Sequence, residues 1–98
     1  MSELTVVDVP ESKRFEAHQD GALAGFADYI RTAELITFTH TEVDPAFEGK
    51  GVGSALVRAS LDAARAEGLP VLPVCPFYQG WIARHREYAD VLYGTTAD

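Results

Sequence analysis

The chain has 98 residues, 47% of them apolar, and a formal net charge of −7. That length fits one domain with one modest core, and the apolar fraction excludes a disordered chain. The acidic balance serves solubility, tolerates a cationic or amine-bearing substrate, and disfavours a nucleic-acid partner, which needs a basic face.

Met1-Ser2-Glu3 carries neither a basic nor an apolar segment, so no signal peptide is expected, and no apolar run reaches membrane-spanning length. Leu4 to Val9 is apolar and β-branched and predicts a first strand, closed by a turn at Pro10-Glu11-Ser12. From Lys13 to His18 the alternation puts Phe15 and Ala17 on one face and Arg14, Glu16 and His18 on the other. That is the period of a half-buried strand. Asp20-Gly21 is a pair that two-residue hairpins favour, since both centres tolerate positive φ. Ala22 to Arg31 returns as a third strand, with Phe26 and Ile30 on one face and Leu23 and Tyr29 on the other. Thr32-Ala33 leads into a fourth, from Glu34 to about Val43, rich in threonine and β-branched side chains.

Asp44-Pro45 then signals a turn, and glycines alternate at 49, 51 and 53 before an uninterrupted run of helix formers. A loop without side chains that opens into a helix offers free backbone N–H groups and the positive end of a dipole, a setting for an anion such as phosphate. The spacing is not a Walker loop, since Gly49-Lys50-Gly51 lacks the four-residue spacer. Nor is it the dinucleotide fingerprint, since Ser54 stands where the third glycine belongs.

The helix is predicted from about Gly51 to Glu67, with Val52, Ala55, Leu56, Ala59 and Ala63 as its apolar stripe. Arg58, Asp62 and Arg65 lie opposite, spaced to pair in water, and Gly68 ends the helix. Leu69 to Val74 reads as a buried strand parallel to the fourth, the crossover length requiring a helix between them. Pro76 suits a first helical position and makes Cys75 the N-cap of a second helix running to about Arg86. Cys75 is the only cysteine, which excludes an internal disulfide and a Cys-rich metal site and fits a reducing, cytoplasmic setting. Tyr88 to Tyr93 forms a last turn or short strand, and the residues beyond are expected to fray. The pattern is a single α+β domain over residues 1–98, core about 4–93: an antiparallel meander, then one central parallel crossover and a second helix.

The glycine stretch resembles the acetyl-coenzyme A binding segment of the GCN5-related N-acetyltransferases, which follows a fourth strand and runs Gln/Arg-x-x-Gly-x-Gly/Ala into a helix. Gly51 and Gly53 stand at its glycine positions within the run Gly49 to Val57. The resemblance implies a minimal fold of that family, with acetyl-coenzyme A as cosubstrate and no metal. It implies that the backbone of Gly49, Lys50, Gly51, Val52, Gly53 and Ser54 holds the coenzyme's pyrophosphate. It also implies a fourth strand splayed from the fifth, with the backbone at Thr41, Glu42 and Val43 holding the pantetheine. Glu48 departs from the pattern, standing where Gln or Arg is usual; Lys50 either screens phosphate or is solvated.

His40-Thr41-Glu42-Val43, Cys75-Pro76-Phe77 and His85-x-Glu87-Tyr88 look like the compact YjdJ-type branch, a match over roughly Glu34 to Leu92. Arg86 stands where that branch has proline. The family's two helices between the first and second strands have no room in Pro10-Glu11-Ser12, which implies an open or differently built acceptor site.

Acetyl transfer from a thioester to an amine needs a neutral amine, a polarised carbonyl and a proton for the departing thiolate. His40, late in the fourth strand, has the titration range of a general base; the alternative is a histidine paired within the sheet. Cys75, at a helix N-terminus, is a candidate acyl acceptor or proton donor; the alternative is an inert buried thiol. Tyr78 is a candidate acid, against a packing role with its hydroxyl at the surface. Phe77, Trp81 and Ile82 read as core, His85 and Tyr88 as a helix-terminal pair or lining of the coenzyme end, and His18 as a strand-end residue.

The reading is an acetyl-coenzyme A-dependent N-acetyltransferase acting on a small-molecule or protein amine, as a monomer or as a homodimer through an exposed fifth strand. A non-catalytic coenzyme A-binding module is the alternative, and a plain interaction domain a third.

Overall fold

The structure is a computed structural model that describes residues 3–94; the expectations for Met1-Ser2 and for the fraying end lie outside them. Strands β1 (Thr5–Val9), β2 (Arg14–Gln19), β3 (Ala22–Arg31), β4 (Ile36–Val43) and β5 (Val71–Pro73) form one sheet in sequence order. The first four are antiparallel, and β5 runs parallel to β4 as the crossover required. Helix α1 (Val52–Ala66) makes that crossover, and α2 (Pro76–Arg84) follows β5. The β2–β3 turn is built as expected, with Asp20 at φ 55° and Gly21 at φ 79°.

The pleat sorts the sheet into two faces. Phe15, Ala17, Ala27, Tyr29, Ile36, Phe38 and Val71 are buried against the helices. Arg14, Glu16, Phe26, Asp28, His40 and Glu42 pair across β2, β3 and β4 on the other face. Among the described residues no helix covers that second face, because β1 and β2 are joined only by a single 3₁₀ turn, Pro10–Ser12.

Two irregularities set the parity of the strands. The β2–β3 register slips at Ala24, so Leu23 pairs with His18 and joins the Phe26 face, not the Tyr29 face that strict alternation predicts. The β3–β4 register slips at Thr39: Tyr29 faces Phe38, yet Asp28 faces His40. Regular alternation from Phe38 would turn His40 inward and Thr41 outward; the extra residue reverses both.

Element ends differ from expectation for local reasons. β4 starts at Ile36, not Glu34, because the Thr32 hydroxyl accepts the N–H groups of Glu34 and Leu35. β5 is shorter than Leu69–Val74: Pro73 has no N–H, and the N–H groups of Val74 and Cys75 both turn onto the Phe38 carbonyl. α2 stops at Arg84 because His85 leaves helical geometry, stacks on Trp81 at 3.7 Å and donates from Nδ1 to the Trp81 carbonyl. The last segment is both turn and strand: a 3₁₀ run over Arg86–Val91, then a parallel bridge from Leu92 to Val71.

The core stripe of α1 is Val52, Leu56, Val57, Ser60, Leu61 and Ala64. Ala55, Ala59 and Ala63 are only its half-buried flank, since the larger side chains have more area to remove from water. The polar face is not self-paired. Arg58 lies over Trp81 and Tyr88, Asp62 accepts from the Tyr88 hydroxyl, and Arg65 pairs with Asp90. Those contacts clamp the turn over Arg86–Val91, the last among the described residues, to α1.

Candidate active site

The glycine loop closes β4 in two steps. The Asp44 carboxylate accepts the Ala46 N–H and opens a 3₁₀ turn, Pro45–Phe47. Gly49 and Gly51 then take φ of 81° and 80°, where a side chain would be strained. Gly51 is the N-cap of α1 and has no side chain to offer. Ala55 is the first N–H to reach a helical carbonyl, that of Gly51. The N–H groups of Val52, Gly53 and Ser54 therefore have no helical acceptor, and they point out of the positive end of a 15-residue helix. Glu48 is exposed, so water is available to its carboxylate.

Two close approaches hold this helix start in place. A Cβ on Gly25 would lie 2.6 Å from the Glu42 carbonyl and 3.0 Å from Val52, so β3, the end of β4 and α1 meet only over a glycine. A Cβ on Gly53 would lie 2.7 Å from the ring of Phe77. Phe77 is 42% exposed: it lies on the loop and is not core, whereas Trp81 and Ile82 are core as read. The Ser54 side chain accepts the Trp81 indole N–H at 2.7 Å and ties α2 to the same turn. Composition gave no sign of the Phe77 contact, although a glycine one residue inside a helix is itself a signal of close approach.

β5 pairs with β4 only over Ile36, Thr37 and Phe38. Beyond Phe38 the β5-facing edge of β4 has no strand partner among the described residues, so the strands part where the family resemblance places the pantetheine. Thr41 and Cys75 face each other across the gap, Oγ1 to Sγ 3.4 Å. Cys75 is buried and is the N-cap of α2, as the following proline predicts, but its side chain makes no cap bond.

His40 is the neighbour of Thr41 and points to the opposite face of the sheet. Its side chain is about half exposed and donates from Nε2 to Glu42 at 2.8 Å, and its ring lies 6.2 Å from that of Phe26. A donating Nε2 leaves Nδ1 with the lone pair. The structure thus sets Thr41 with Cys75 on the helix side of β4, and His40 with Glu42 on its other side.

Tyr78 is elsewhere. It is fully buried, stacked on Phe38 at 4.4 Å, and its hydroxyl donates to Ser60 at 2.7 Å. Burial pushes its phenol well above the ordinary range, against a smaller lowering by Ser60. Ser60, which sequence reading passed over, is satisfied in turn by the Val57 carbonyl. His85 and Tyr88 form a helix-terminal group with Trp81, and the Tyr88 phenol is raised by its bond to Asp62 and by burial. His18 bonds Glu16 at the strand end. Among the described residues no group of three or more His, Cys, Asp or Glu is placed to hold a metal, and no helix is long and apolar enough to cross a membrane.

Comparison with known proteins bears on this geometry. Among solved structures, a GCN5-like protein from Staphylococcus aureus superposes with a TM-score of 0.70 at 25% identity, over 99% of this chain and 95% of that one. The ribosomal-protein-S18-alanine N-acetyltransferase of Escherichia coli superposes with a TM-score of 0.64 at 17% identity, over 89% of this chain and 76% of that one, which speaks for the fold. No curated protein sequence matches significantly. The family model described as GCN5-related N-acetyl-transferase matches residues 14–91, and the chain belongs to that family.

Proposed function

We propose that the whole chain is one acetyltransferase domain that moves an acetyl group from acetyl-coenzyme A to a primary amine. One observation carries the reading: β4 parts from β5 beyond Phe38, with Thr41 meeting Cys75 at the gap, and the same strand leads through the glycine loop to the free N–H groups of Val52, Gly53 and Ser54. The residues present fit the coenzyme. Gly49 to Ser54 would hold its pyrophosphate and the backbone of Thr41 to Val43 its pantetheine arm; bound there, it supplies the acyl group as a thioester.

The rest is done by side chains. The new C–N bond forms as the C–S bond breaks. Nδ1 of His40 accepts the proton lost by the acceptor amine, with Glu42 fixing the tautomer. The Cys75 thiol, held by the Thr41 hydroxyl, returns a proton to the departing sulfur. Tyr78 takes no part in this scheme: losing its proton would leave a phenolate in an apolar core.

Calorimetry with acetyl-coenzyme A is the test. Binding is expected for the wild type and is weakened about tenfold in Gly51→Val, where a β-branched side chain meets a positive φ. No binding up to low-millimolar coenzyme overturns the reading. Binding without transfer to any of a panel of amines leaves a coenzyme A-binding module instead. Intact mass after incubation is expected to show no acetyl group on Cys75; finding one makes the thiol the acyl acceptor.

A further inference from the structure

Trp81 is the only tryptophan of the chain, and it is buried and tightly held. The His85 ring stacks on it with centroids 3.7 Å apart, Tyr88 tilts against it at 5.3 Å, and the Arg58 guanidinium lies 5.1 Å from its ring. Packed in this way, the indole has a fixed direction for its N–H, which ends on Ser54 Oγ at 2.7 Å. An indole N–H only donates, so the Ser54 oxygen is the acceptor in this bond and its own proton is left to point elsewhere. That proton meets no acceptor among the described residues. The groups around it are donors too. Ser54 is the third residue of α1, and the N–H groups of Val52, Gly53 and Ser54 have no helical partner. A helical side chain leans toward the N-terminus, which carries the hydroxyl to the same opening. Four donors without an acceptor at one helix start form a set that the oxygens of an anion complete.

We infer that Trp81 is a positioning residue for the coenzyme: by occupying one lone pair of Ser54 Oγ, its indole N–H turns the Ser54 hydroxyl outward as a side-chain donor to a phosphate oxygen. The identity of the ligand rests on the acetyltransferase reading. Accepting the indole N–H also strengthens the hydroxyl as a donor, since hydrogen bonds in a chain polarise one another. Because the tryptophan is unique, its indole ¹H–¹⁵N resonance is followed in the wild-type protein, without a substitution. Coenzyme A is expected to move it downfield saturably, and pantetheine, which has no phosphate, to leave it in place. Equal movement with pantetheine overturns the inference. So does an unmoved indole while the amides of Val52 to Ser54 respond to coenzyme A. Calorimetry then separates positioning from packing. Ser54→Ala should weaken acetyl-coenzyme A binding about fivefold and Trp81→Phe about threefold, with no further loss from Trp81→Phe once residue 54 is alanine. Losses that multiply in the double variant mean that Trp81 acts by packing alone, and they sink the proposal. If neither coenzyme A nor its acetyl ester binds, this inference and the transferase reading fall together; if they bind and the indole stays unmoved, this inference falls alone.

Discussion

Burial decides what Tyr78 does. Its hydroxyl is one link in a chain that runs from Phe38, under its ring, through Ser60 to the Val57 carbonyl. Tyr78→Phe should cost about 1 kcal/mol of stability in urea unfolding and leave kcat nearly unchanged. A hundredfold loss of kcat would make it the acid after all. The same phenol, with Tyr29, gives the protein an alkaline limit. Tyr29 is also raised, by burial and then by its 2.6 Å bond to Asp8. In each case the folded pKa lies above the unfolded one, so the stabilisation is complete below the unfolded value of about 10 and is lost as pH rises beyond it. Urea midpoints should fall between pH 9 and pH 11, and fall less in Tyr78→Phe. Some of these residues were legible in the sequence and some were not. Cys75 is marked as a cap by the proline after it, because few positions tolerate that ring. Ser60 is invisible, because a serine among alanines carries no periodic signal and its role depends on a tyrosine 18 residues away.

Among the elements, the glycine-lined contacts divide by what stands opposite. The Phe77 ring can turn, so Gly53→Ala should cost about 1–2 kcal/mol and be largely relieved by adding Phe77→Ala, a coupling that a double-mutant cycle reads directly. The Glu42 carbonyl cannot turn. Gly25→Ala should cost about 3 kcal/mol with no second-site relief, and should loosen coenzyme binding because it displaces the end of β4. Strand identities and the crossover were readable from alternation and from the helix-length connection, both being local or topological constraints. The slips at Ala24 and Thr39 were not, since one extra residue leaves composition and β-propensity untouched while changing which side every later residue faces. The α1 stripe was misplaced for a related reason: counting alanines as equal to leucine and valine rotates the apparent face.

At the scale of the molecule, the domain is two layers thick, helices on one face of the sheet and none on the other among the described residues. The missing connection between the first two strands was plain in Pro10-Glu11-Ser12, and the open face follows from it. The clamp of the Arg86–Val91 turn on α1 was not plain, since Arg58, Asp62 and Arg65 look self-sufficient on a helical wheel. β4 thus works as a partition. Thr41 faces the helix side with Cys75, and His40 faces the open side with Glu42 and Phe26. If the donor comes by one side and the amine by the other, neither blocks the other's path. The order of arrival is then free, a ternary complex forms either way, and coenzyme A should inhibit non-competitively against the amine in initial-rate measurements. Competitive inhibition would mean a shared doorway. A single inserted threonine, by exchanging the sides that two neighbouring side chains face, would have settled the traffic of a two-substrate reaction.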